Sequence, residues 1–183
     1  IFEEALKTLI KSQERSKEKF DKERINKFEK IAQVRVNHCN ARVNLEEARI
    51  LGKQGEHVAA AEKFALASSQ FRDICIIFKI KQEREELEAV YYLCRAWENM
   101  ELAEEYGDPR RFSEAAGLFA EASDLFTDKK LKLLASGNST FSQALEYGCK
   151  FDESIDMTLK KEIYPKVKQM LSKAANSYEK GGF

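Results

Sequence analysis

Phe112-Ser-Glu-Ala115-Ala116-Gly-Leu-Phe119-Ala-Glu-Ala122-Ser-Asp-Leu-Phe126 is the stretch whose reading decides the fold. Its three phenylalanines stand seven residues apart, which sets them on one side of a helix. Ala115, Ala116 and Ala122 share that side. Large and small side chains mixed on one stripe let a second helix come close and interlock. The pattern occurs again upstream as His57, Ala60, Ala61, Phe64, Ala67 and Phe71, and downstream as Tyr164, Val167, Leu171, Ala174 and Tyr178. Counting from His57 to Phe112 gives 55 residues, and from Phe112 to Tyr164 gives 52. A helix that returns at a nearly fixed interval predicts a stacked helical array.

Composition agrees with such a chain. Of 183 residues, 43% are hydrophobic and 34% charged, with two prolines and eight glycines, the balance of a soluble helical protein. Lys plus Arg equals Asp plus Glu at 31 each, so net charge favours neither nucleic acid nor membrane. Cys39, Cys75, Cys94 and Cys149 lie far apart among apolar helical residues. They read as reduced, buried thiols of a cytoplasmic protein. No apolar run approaches the ~18–20 residues of a membrane span, and no secretory signal pattern opens the chain. Ile1 and Gly181-Gly182-Phe183 make both ends look cut, so a fragment of a longer chain is expected.

Taken in order, residues 1–20 predict an N-terminal helix. Between Lys7 and Lys30 nine basic residues face five acidic ones. That run is either a solvated helix face with i,i+4 ion pairs or a basic surface for RNA or an acidic partner. Residues 21–80 predict a first helix pair, broken at Gly55 by a C-cap, with Phe78 extending the His57 stripe. Residues 83–128 predict a second. Its first helix is apolar on two sides, with Leu87, Val90, Cys94 and Trp97 on one and Ala89, Tyr92, Ala96 and Ala103 on the other, as in a helix sandwiched between neighbours. Gly107-Asp108-Pro109 ends it, and the second helix is expected to end near Asp128. From Glu83 to Asp108 nine acids stand against two arginines. Residues 129–183 predict a third pair, with helices over about 132–147 and 158–180. Glu146-Tyr147-Gly148 repeats Glu105-Tyr106-Gly107, so a turn is expected there, followed by a long linker from Cys149 to Asp156. Pro165 is expected to start the last helix proper or to kink it.

The string Ala48-x2-Leu51-x3-Gly55-x4-Ala60-x3-Phe64-x2-Ala67 resembles a tetratricopeptide-type repeat. The second copy keeps Ala103, Gly107, Ala115, Phe119 and Ala122. The third keeps Phe141, Ala144, Gly148, Leu171 and Ala174 and carries Val167 where Ala is expected. The interval is longer than that family's, which is about 34 residues. Arg72 stands where a closing Pro often follows. Longer helices of this kind, with strings such as Ala174-Ala175-Asn-Ser-Tyr178-Glu-Lys-Gly181, resemble the soluble NSF attachment protein group. The resemblance covers about residues 40–183. It implies an all-α superhelix (a TPR-like α-solenoid of about seven helices) and a protein-binding scaffold whose first helices line a concave face.

Chemistry is sparse. His38 adjoins Cys39, but neighbouring helical residues point about 100° apart and do not share a metal easily. His57 aligns with Phe112 and Tyr164, so a packing position at a helix start is expected. The sequence carries no Gly-rich phosphate loop, no G-x-S-x-G and no Glu-x-x-His pair. Asn138-Ser139-Thr140 matches a glycosylation sequon inside a predicted helix. One polar row remains: Gln33, Asn37, Asn40 and Asn44 fall on one face of one helix. Asn is a poor helix former, and carboxamides both donate and accept, so such a row suits an extended peptide backbone. Inter-helix hydrogen bonding and plain exposure are the other readings. The sequence therefore predicts a single helical-repeat domain, a non-enzymatic scaffold for a protein or peptide partner with no cofactor and no metal. Its candidate contacts are Asn37, Asn40, Asn44, Tyr92 and Arg95. The alternative is an accessory nucleic-acid-binding module of a larger enzyme, using the basic 7–30 helix.

Overall fold

The computed structural model describes residues 2–15, 19–77 and 80–183. They form seven helices: α1 (Phe2–Arg15), α2 (Lys19–Lys53), α3 (His57–Ile77), α4 (Lys81–Tyr106), α5 (Pro109–Leu125), α6 (Lys129–Glu153) and α7 (Met157–Gly181). Packing runs between consecutive helices from α1 through α7. Phe78 and part of the basic 7–30 run lie outside the described residues; Lys7, Lys11, Lys22, Lys27 and Lys30 are exposed.

Local chemistry sets the breaks. Gly55 adopts φ 81°, the left-handed region open to glycine, at the end of α2. The Glu56 N–H donates to the Leu51 carbonyl and the Gly55 N–H to that of Gly52, a Schellman closure. Gly107, at φ 62°, closes α4 through a bond from its N–H to the Ala103 carbonyl. Asp108 then caps α5 by accepting from the Arg110 N–H, with Pro109 in the first helical position, where its missing donor costs nothing. Asp128 and Asp156 cap α6 and α7 in the same way.

Two expectations about boundaries change. α6 continues through Gly148 to Glu153, so there is no turn at Gly148 and no linker from Cys149 to Asp156; only residues 154–156 separate the helices. Gly107 is followed by Asp-Pro, which cannot extend a helix, whereas Gly148 is followed by Cys149, Lys150 and Phe151. Lys150 pairs with Glu146 one turn back, and the Phe151 ring meets Tyr164 at 6.5 Å. α5 ends at Leu125 because Phe126 is extended. α7 runs Met157–Gly181, close to the expected 158–180, and Pro165 lies inside it rather than at its start.

The deciding stripe is the core. Phe112, Ala115, Ala116, Phe119, Ala122 and Phe126 are all buried, as are Ala60, Ala61, Phe64, Ala67 and Phe71. α4 is apolar on two sides. Cys94 joins Ala41, Ala67 and Phe71, with Leu87 and Val90 alongside, while Ala96, Met100 and Ala103 join Phe112, Ala115 and Phe119. Trp97 bridges the two layers: its ring stacks on Phe64 at 6.4 Å and meets Phe119 edge-on at 5.3 Å. The downstream copy departs from the pattern. Ala174 is buried, but Tyr164 and Leu171 are exposed, because α7 packs chiefly on α6. The cysteines depart too. Cys94 alone of the four is buried, Cys75 and Cys149 are half-buried, and Cys39 is exposed. Burial pushes the Cys94 thiol up to about 12 and the Cys75 thiol up to about 11.

Candidate interaction face

The polar row of α2 divides into different environments. Gln33 Nε2 donates to Asn37 Oδ1 at 2.9 Å, a bond within the helix. Asn40 is exposed. Asn44 is half-buried against α3: its Nδ2 donates to Gln70 Oε1 at 3.0 Å, and its Oδ1 accepts from Lys63 Nζ at 3.4 Å. Lys63 also pairs with Glu47 Oε2 at 2.6 Å. Asn44 is thus a strut between helices, with both halves of its carboxamide engaged. Gln33 and Asn40 are the exposed members of the row, and Asn37 is half-buried.

Tyr92 and Arg95 lie on α4. Arg42 is close enough to Cys94 of α4 to lower the thiol pKa against the dominant effect of burial. Ala41, between Asn40 and Asn44 on α2, joins Cys94 of α4 in one core cluster.

On α4 the half-buried Tyr92 packs with Ala89, Ala122, Phe126 and Ala135. Its ring lies 5.1 Å from that of Tyr91. Burial, then Glu88, Glu121 and Tyr91, push its phenol up. The exposed Arg95 belongs to a polar cluster that the sequence reading named only in part. Its Nε lies 3.5 Å from Glu98 Oε2, and its carbonyl accepts from Asn99 Nδ2 at 3.1 Å. Arg111 of α5 donates from Nη1 to Asn99 Oδ1 at 3.4 Å. Glu98 Oε2 is buried without a hydrogen-bond partner among the described residues. Arg95 is within ion-pair reach of it but lacks hydrogen-bond geometry. Burial raises the Glu98 carboxyl pKa against the lowering pull of Arg95 and Arg111. The available signal was spacing: Arg95, Glu98 and Asn99 follow the i, i+3, i+4 rule on α4. Arg111 comes from the next helix and carried no such mark.

His57 is a hydrogen-bonding residue rather than a packing one. Its Nδ1 lies 2.7 Å from Glu101 Oε2, which joins the first turn of α3 to α4. That bond raises the imidazole pKa, burial opposes it, and Glu101, Glu104 and Glu105 raise it further. A Cβ at Gly52 would strike the Glu101 carboxylate, so glycine there lets α2 reach the same junction. His38 sets its ring edge-on to Phe71 at 5.9 Å. Burial, then Arg42 and Arg35, lower its pKa. Asn138 is buried, with Oδ1 accepting from Tyr178 Oη at 2.9 Å, which leaves its sequon no access to a glycan.

Among the described residues no group of three or more His, Cys, Asp or Glu is placed to hold a metal ion. No helix among them is long and apolar enough to cross a membrane. The chain matches no known protein family, no curated protein and no solved structure.

Proposed function

We propose that this chain is a non-enzymatic scaffold, a TPR-like superhelix of three antiparallel helix pairs behind an N-terminal helix. The observation that carries the reading is the position of α4. It is buried on two sides by consecutive neighbours, while a third side holds Arg95, Glu98, Asn99 and Arg111 at its junction with α5. Short connections between helices that pack in sequence favour antiparallel neighbours. An array of this kind builds an extended surface without a catalytic pocket. Guanidinium groups beside a carboxamide suit an acidic or carboxamide-rich peptide. On this reading the thiols stay reduced and the protein works in the cytoplasm.

The test is affinity capture on the Arg95→Glu/Arg111→Glu variant, with and without nuclease, read by mass spectrometry. Protein partners that survive nuclease and leave with the two arginines support the scaffold and its α4–α5 face. An unchanged partner list removes that face. Partners that vanish with nuclease replace the reading with a nucleic-acid role for the 7–30 run.

A further inference from the structure

α7 has one covered side and one open side. Ile163, Ala174 and Gly181 are buried, and Tyr178 reaches Asn138 of α6. On α5 the positions Phe112, Ala116, Phe119 and Ser123 are all buried. There α6 comes within hydrogen-bond reach: Ser139 Oγ donates to the Ala116 carbonyl at 2.8 Å, and Ser123 Oγ donates to the Lys132 carbonyl at 3.1 Å. Fifty-two residues on, the same positions are Tyr164, Lys168, Leu171 and Ala175, all exposed. Tyr164 is 62% exposed and Leu171 42%. Met157 extends their heptad line at 65%, and Ile155, in the turn before α7, is 97% exposed. Phe151 of α6 borders the line at 6.5 Å from Tyr164, with the Lys160 ammonium 4.8 Å from its ring.

Three features choose the occupant. Lys168 stands where Ala116 admits α6, and its long charged side chain holds a stacked helix away from the backbone. A second copy meeting this face through a two-fold axis would bring its own Lys161 and Lys168 up to those of the first, and like charges repel. Charge then points to an anionic ligand. α7 holds Lys160, Lys161, Lys166, Lys168, Lys173 and Lys180 against Glu162 and Glu179. Asp156 is engaged at the cap, accepting from the Thr158 N–H at 2.7 Å. Glu162, two positions before Tyr164, projects about 200° away from it. Lysine stems lie along apolar surface while the ammonium stays at its edge.

We propose that α7 and the turn before it dock on an anionic lipid surface. Ile155, Met157, Tyr164 and Leu171 enter the headgroup layer, and Lys161 and Lys168 meet the lipid phosphates. The experiment is flotation of the full chain with phosphatidylcholine vesicles that contain or lack phosphatidylserine, at low and high salt. The expected result is recovery with phosphatidylserine at low salt, lost in its absence and lost at high salt. Lys161→Glu/Lys168→Glu should lower the bound fraction at least about tenfold. Tyr164→Asp/Leu171→Asp should do the same. The lysine variant should keep the wild-type melting temperature, since Lys161 and Lys168 are exposed. Absence of flotation, equal flotation on phosphatidylcholine alone, or variants that float like wild type would overturn the proposal. A concentration-dependent dimer that Leu171→Asp dissolves would also overturn it and give the face to a second copy.

Discussion

Replacing Phe119 with alanine tests the packing logic of the whole array. Phe119 is 0% exposed and lies in the cluster of Ala96, Met100, Ala103, Phe112 and Ala115. Its ring also takes the edge of Trp97 at 5.3 Å. A buried Phe removes roughly 150–250 Å² from water, of which alanine keeps a minor share. At about 25 cal/mol per Å² the transfer loss is about 3 kcal/mol. The residual cavity and the lost aromatic pair bring the cost into the range of about 3–5 kcal/mol. For a chain of this size that lowers the melting temperature by roughly 6–20 °C. The assay is urea unfolding followed by far-UV circular dichroism. Leu171→Ala, on the open side of α7, is the control and should cost less than about 1 kcal/mol. A loss below about 1 kcal/mol for Phe119→Ala would refute the reasoning, because the stripe would then not be carrying the stack.

Three further outcomes follow from the geometry. The His57 imidazole has its pKa raised in the fold by Glu101, so its contribution to stability is complete below the unfolded value near 6.5 and fades as pH rises through the folded value. Urea midpoints should therefore fall from mildly acidic to mildly alkaline pH, and His57→Gln should flatten that slope. Asn44→Ala leaves Gln70 and Lys63 short of a partner and should cost about 1 kcal/mol, whereas Asn40→Ala should leave the melting curve unmoved. Gly148 lies inside α6 with open space where a Cβ would stand, so Gly148→Ala should stabilise by about 0.5–1 kcal/mol in calorimetry. Gly55→Ala, at φ 81°, should destabilise by about 1 kcal/mol.

The apolar stripes were legible because burial repeats at helical spacing. Phe64, Phe71, Phe112 and Phe119 pack where their periodicity places them, and the two-sided α4 reads directly from Cys94 and Ala96. The misread turn at Gly148 shows where local sequence runs out. The triplet Glu-Tyr-Gly is the same at 105–107 and 146–148, and the outcome depends on the residues after it, Asp-Pro in one case and a packable Cys-Lys-Phe in the other. The exposure of Tyr164 and Leu171 was hidden for a different reason. Their spacing equals that of the buried copies, so periodicity alone does not separate an exposed stripe from a buried one. The polar cluster of Arg95, Glu98, Asn99 and Arg111 joins two helices, so its composition appears only once α4 and α5 lie side by side.

The chain has one tryptophan, and Trp97 sits between the ring of Phe64 on α3 and the ring of Phe119 on α5. Its fluorescence is therefore a gauge of the middle of the stack and blind to the ends. Where stability is a sum of neighbour terms, loss of α7 or α1 removes ellipticity and leaves that emission in place. The gap between the two denaturation curves then measures how many layers let go together. Coincident curves would make the seven helices one cooperative unit, and a late fluorescence transition would make α3, α4 and α5 the kernel from which the others peel.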